Sequence, residues 1–191
     1  KGVHRQWIDE QIPAHLDPEI ECQLICWEKK PIDWKRVKNN KLTFFAMNID
    51  AIRTKLGYDT ALAFLKHFKG KGRKITVDES QDIKSWMADR TRAAMKLREE
   101  SEYRRILTGT PLAKNILDAF SQFRFLDENI LGHRLVSTFR ARYCVMGGWE
   151  FRQVVGQKNI EEFYSLIHPV TFRLTKKEAL DLPEKIYVQR E

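Results

Sequence analysis

Four short apolar runs, separated by stretches of helical periodicity, constrain this chain more than any other feature. They are Cys22–Trp27, Leu42–Met47, Lys74–Val77 and Arg105–Thr108. Each is too short for a helix, and the first two, Cys22-Gln23-Leu24-Ile25-Cys26-Trp27 and Leu42-Thr43-Phe44-Phe45-Ala46-Met47, have the make-up of buried strands. Between them, residues 51–68 place Leu62, Leu65 and Phe68 on one helical face. Residues 88–101 read as a long helix, and residues 114–126 as an amphipathic one with Ile116, Leu117, Phe120, Phe123 and Phe125 on its apolar side. Upstream, His4–Leu16 carries Trp7, Ile8, Ile12 and Leu16 at helical spacing, interrupted or ended near Pro13. Short strands alternating with helices predict an α/β fold, a mostly parallel sheet with helices on both faces.

The pattern changes after Leu131. Polar helical stretches, a Gly147-Gly148 turn and the alternating segment Trp149–Val155 predict a small helical insertion with a hairpin. The division is therefore 1–130 for the α/β part and 131–191 for the insertion and the end of that part. No internal repeat or low-complexity tract occurs.

Composition narrows the function classes. No apolar run approaches the roughly 20 residues that span a bilayer, so no membrane partner is expected. Cys22, Cys26 and Cys144 are an odd set with no second Cys/His pair at zinc-ligand spacing, and read as thiols of a reducing compartment. His67, His133 and His168 are isolated and read as packing or surface residues. The formal charge of +8 favours a polyanionic partner, nucleic acid being the commonest, although a lysine-rich surface can also serve solubility alone.

The chemistry sits in Ile75-Thr76-Val77-Asp78-Glu79-Ser80-Gln81. Two adjacent carboxylates directly after a strand lie at the carboxyl edge of a parallel sheet, where open α/β folds bind ligands. In phosphoryl transfer the first such carboxylate typically holds Mg²⁺, usually through water, and a neighbour orients and deprotonates the attacking water. Asp78 and Glu79 fit those roles in that order. Arg105-Ile106-Leu107-Thr108-Gly109-Thr110-Pro111 is a second strand whose end can present Thr108 and Thr110 at the same edge. Each segment alone has a bland reading, a solvated strand end or a helix cap.

Together, Asp78-Glu79-Ser80-Gln81, Ile83-Lys84 and Leu107-Thr108-Gly109-Thr110-Pro111 resemble motifs II and III of the Swi/Snf-type ATPases, double-stranded DNA translocases of helicase superfamily two. That family usually reads Asp-Glu-Ala-His and then Ile-Lys-Asn, so Ser80, Gln81 and Ser85 depart from it. Trp7 with Glu10 looks like its Trp-x-x-Glu element after motif Ia. Asn115, Asp118, Phe120, Phe125 and Leu126 look like the run after motif III. Phe172-Arg173-Leu174-Thr175-Lys176-Lys177 with Leu182-Pro183-Glu184-Lys185 resembles the signature that closes the first lobe. The flavour is closest to phage or bacterial members.

The resemblance implies a RecA-like first lobe, with ATP and Mg²⁺ as cofactors. Its partners would be double-stranded DNA and a second RecA-like lobe of the same polypeptide. Asp78 would be the Mg²⁺ ligand and Glu79 the base, with Gln81, Thr108, Gly109 and Thr110 coupling nucleotide state to the DNA face. The DNA candidates are Lys84, Lys114, Lys35, Arg36, Lys38 and Lys41, since backbone-tracking proteins need cations and no base readout. Trp7, Trp27, Trp34 and Phe45 are expected in packing rather than as base-stacking platforms. No Gly-x-x-x-x-Gly-Lys-Ser/Thr occurs, so the resemblance implies a phosphate loop expected upstream of Lys1 and predicts that these residues by themselves hydrolyse no ATP. An RNA helicase lobe and a non-catalytic DNA-binding or protein-interaction module are the alternatives; Leu182-Pro183-Glu184-Lys185 argues against the first. The compartment would be the cytoplasm of a bacterial or phage-infected cell, or a nucleus for a eukaryotic source.

Overall fold

A computed structural model of the chain describes residues 3–109, 115–174 and 178. It opens with α1 (Val3–Gln6), a π-turn over Trp7–Gln11 and α2 (Ile12–His15). The helix thus runs past Pro13, which cannot donate to the preceding turn, and it does so by widening just before the proline. β1 (Cys22–Cys26) and β2 (Leu42–Ala46) follow and pair in parallel, Cys22 facing Leu42 and Cys26 facing Ala46. A 3₁₀ turn over Ile49–Arg53 leads into α3 (Lys55–His67), whose amino end is capped by the Thr54 hydroxyl accepting from the Gly57 N–H. Gly70 and Gly72, at φ of 79° and 76°, turn the chain into β3 (Lys74–Val77).

α4 (Asp89–Arg98) crosses over to β4 (Tyr103–Ile106), which pairs in parallel with β3, Lys74 opposite Tyr103 and Val77 opposite Ile106. The α/β class and parallel pairing follow the sequence pattern. Among the described residues, however, these four strands form two pairs, β1–β2 and β3–β4, rather than one continuous sheet. β4 also begins two residues before the apolar run, because Tyr103 and Arg104 extend the ladder while Arg104 donates to the carbonyls of Arg98, Ser101 and Leu126 at the ends of two helices. Arg73 closes the same end of β3: its ion pair with Glu102 holds that carboxyl down to about 2.

α5 (Leu117–Leu126) joins two cores. Its Phe125 packs with Ile52, Leu65, Val77, Ile83 and Leu97 around the strands. Its Ala119, Phe120 and Phe123 belong to a second cluster built on α6 (Val136–Tyr143) and α7 (Ile160–Ile167). Between those helices lies an antiparallel hairpin of β5 (Cys144–Gly147) and β6 (Gln153–Gln157), with Gly148 at φ 69° in its connection. Helices with a hairpin are what the sequence predicts for this stretch. No helix among the described residues is long and apolar enough to cross a membrane.

Candidate active site at the β3–β4 edge

Parallel pairing delivers the ends of β3 and β4 to one place. The ladder continues past both strands, with Leu107 N–H donating to the Val77 carbonyl at 2.9 Å and Ser80 N–H to the Leu107 carbonyl at 3.0 Å. Val77 is buried, Asp78 half-buried and Glu79 exposed, so the carboxylates emerge where the core ends. Glu79 sits in the left-handed region at φ 50°, ψ 56°, which is costly for a residue with a Cβ. That turn sends the chain into a 3₁₀ segment, Ser80–Ile83, anchored by the wholly buried Ile83.

The polar groups of this edge are linked to one another. Glu79 N–H donates to Asp78 Oδ1 at 3.0 Å, and the Trp7 indole Nε1–H donates to Asp78 Oδ2 at 2.9 Å. Thr108 Oγ1 donates to Gln81 Oε1 at 2.7 Å, and Gln81 Nε2 donates to Glu79 Oε2 at 2.8 Å. A hydroxyl at the end of β4 is therefore two hydrogen bonds from the carboxylate at the end of β3, with Gln81 as the bridge. Beneath it, Ser80 Oγ donates to Gln122 Oε1 of α5 at 2.6 Å, both residues having no exposed surface. Gly109 is exposed at the same edge, whereas Thr110 and Lys114 lie outside the described residues.

Among the described residues no group of three or more His, Cys, Asp or Glu could enclose a metal ion. Asp78 nevertheless suits Mg²⁺, which keeps several waters and is commonly held by one or two carboxylates plus substrate phosphates. Each Asp78 oxygen accepts one N–H and keeps lone-pair capacity for a metal-bound water. Cys22, Cys26 and Cys144 are free thiols, and burial pushes the Cys144 thiol up.

Among the described residues the cationic candidates lie on different elements. Lys84 lies beside the site, 3.9 Å from Asp118 of α5. Lys35, Arg36, Lys38 and Lys41 belong to the β1–β2 crossover, at the amino end of that pair, where Lys38 exchanges backbone hydrogen bonds with the Gln23 side chain. Arg36 pairs with Asp33 at 3.3 Å, and Lys41 pairs with Glu21, holding that carboxyl below its usual range. Lys35 and Lys38 are exposed. Trp27 is buried, and Trp34 packs edge-on or tilted against Phe45, Phe64 and His67, in line with packing roles.

Three contacts of the site carry no sequence signal: the Trp7 bond to Asp78, the Gln122 bond to Ser80, and an arginine bridge. In the last, Arg90 reaches Asp50 after β2 at 3.0 Å and Asp82 after β3 at 3.6 Å, so one guanidinium links the turns that follow the two strands.

Comparison with known proteins agrees with the motifs. The chain is 31% identical over 115 residues to a Bacillus subtilis protein described as a putative ATP-dependent helicase/translocase, YwqA, covering 59% of this chain and 12% of that protein. It is 34% identical over 116 residues to the Zorya protein ZorD of Escherichia coli, covering 60% of this chain and 10% of that one. A Drosophila melanogaster SWI/SNF-related matrix-associated actin-dependent regulator of chromatin, subfamily A-like protein 1, is 32% identical over 117 residues, 58% of this chain and 15% of its own length. The chain thus spans at most 15% of these relatives. No solved structure matches it significantly. The SNF2-related domain profile matches residues 1–190, and the chain belongs to that family.

Proposed function

We propose that the chain is part of the first lobe of an ATP-dependent DNA translocase or helicase-like remodeller and supplies the metal-holding, water-activating half of its ATP site. The observation that carries this reading is the hydrogen-bonded line Thr108–Gln81–Glu79 at the common edge of β3 and β4, beside Asp78. Asp78 would hold Mg²⁺, which when bound would supply neutralisation of charge on the phosphates. Glu79 accepts the proton of the attacking water, and its exposure leaves room for that water. Gln81 keeps the base oriented and ties its position to Thr108, so a displacement of the chain after β4 shifts the base. Lys35, Lys38 and Lys84 are the cations proposed to meet duplex DNA; at Lys84 a phosphate competes with Asp118.

The test is Glu79→Gln in the full-length protein. Mg-ATP binding should persist while DNA-stimulated turnover falls about 10²–10⁴-fold, the usual contribution of a positioned base. Turnover close to the parent's removes Glu79 from the mechanism.

A further inference from the structure

Asp78 is gripped from outside its own strand. One oxygen takes the next residue's amide, but the other takes the indole N–H of Trp7, 71 positions away, at 2.9 Å. Trp7 also begins the π-turn, where Ile12 N–H reaches back to the Trp7 carbonyl. Such single widened turns occur frequently at functional sites. The surrounding helix is fixed in its turn by the buried Ile8, by packing on β1 and β2, and by an ion pair between Arg5 and Glu28.

The indole defines what this contact can do. It is a rigid ring with a single N–H donor and no acceptor, so it neither ligates a metal nor takes a proton from water. A carboxylate at a strand end can rotate about its Cβ–Cγ bond, whose torsion is broad and roughly two-fold. One donor from its own backbone and a second from a packed indole set the plane of the group. We infer that Trp7 is a positioning residue for Asp78, fixing the carboxylate plane in which the Mg²⁺–water assembly is met and tying that plane to the amino-terminal helix. This rests on the metal-holding reading of Asp78 given above. Partners that orient metal-holding groups commonly matter about 10–100-fold in metal affinity or activity.

Trp7→Phe keeps the aromatic bulk and deletes the donor. In the full-length protein the Mg²⁺ concentration for half-maximal ATP turnover should rise about 10–100-fold, with saturating Mg²⁺ restoring turnover to near the parent's. The second readout needs no turnover. Among the tryptophan indole N–H resonances of the full-length protein, the one lost in Trp7→Phe should move in Asp78→Asn. It should also move when Mg²⁺ is added with a non-hydrolysable ATP analogue. A fall in turnover with an unchanged Mg²⁺ midpoint would mean that Trp7 only packs, and a resonance indifferent to Asp78→Asn would mean that the contact is absent; either overturns the inference. Glu79→Gln assayed alongside separates the two claims. If it loses turnover while Trp7→Phe keeps the parent midpoint, only the inference falls; if it retains turnover, the reading of the site falls.

Discussion

The β3–β4 edge and the α6–α7 region share α5, yet they are built on different principles. The α6–α7 region is an aromatic core: Phe139 packs on Phe120, Tyr143 and Phe163 with ring centroids 5.2, 4.8 and 6.2 Å away, and Phe139, Tyr143 and Phe163 have no exposed surface. Its principal polar device, Arg142 and Tyr143 around Glu162, closes the outside of that core; burial, with the Glu162 hydrogen bond, pushes the Tyr143 hydroxyl up to about 12. The β3–β4 edge instead buries a serine–glutamine pair, holds a glutamate in the left-handed region and leaves its carboxylates partly open. One region spends its residues on packing. The other gives up packing and regular backbone to place polar groups, as functional sites commonly do.

If this contrast is correct, the largest stability effects lie in the aromatic region. Phe139→Ala should cost about 3–5 kcal/mol, the usual loss for a buried phenylalanine. For a chain of this size that is a fall in Tm of roughly 6–20 °C by thermal denaturation. A loss under about 1 kcal/mol would mean that the cluster has room to collapse and is not the stability centre. At the polar edge, Gln122→Met strands the wholly buried Ser80 hydroxyl and should cost about 1–3 kcal/mol. Adding Ser80→Ala, which restores the alanine usual in the Asp-Glu-Ala-His pattern, should recover much of that loss. A double mutant no more stable than Gln122→Met would show that the pair is not coupled.

The same division explains what could be read in advance. Strand and helix periods, glycine turns and the carboxylates after Val77 are local, and they mark β1 to β3, the presence of a hairpin, though not its strand bounds, and the strand end that carries Asp78 and Glu79. The sequence marks Trp7 as a packing residue and as part of a Trp-x-x-Glu element, but not as a partner of Asp78, because that bond spans 71 positions and depends on how the first helix lies across the strands. The Gln122–Ser80 bond, over 42 positions, is of the same kind. Apolar content marks Ile106 and Leu107 and so predicts β4 two residues late, whereas Tyr103 is held in the ladder by its bond to the Arg73 carbonyl and Arg104 by the helix-end carbonyls it caps. The pairing of strands into two separate sheets is likewise a matter of neighbours in space, not of local pattern.

The smallest predicted effect is the most specific to this contrast. At φ 50° and ψ 56° the Glu79 Cβ crowds the backbone, at a cost of roughly 1–2 kcal/mol relative to a right-handed residue. Glu79→Gly removes that crowding but frees the unfolded chain, an opposing term of about 0.5–1 kcal/mol. The net should be a protein about 0.5–1 kcal/mol more stable than the parent, together with loss of turnover in the full-length protein. Glu79→Ala is the necessary partner, since it deletes the same carboxylate and the same Gln81 contact but keeps the Cβ in the left-handed region. It should be no more stable than the parent and equally inactive. Denaturant titration of the two variants therefore isolates the backbone term from the loss of the side chain. If glycine is no more stable than alanine at this position, the turn after β3 carries no strain, and the site differs from the aromatic region in its polar groups alone.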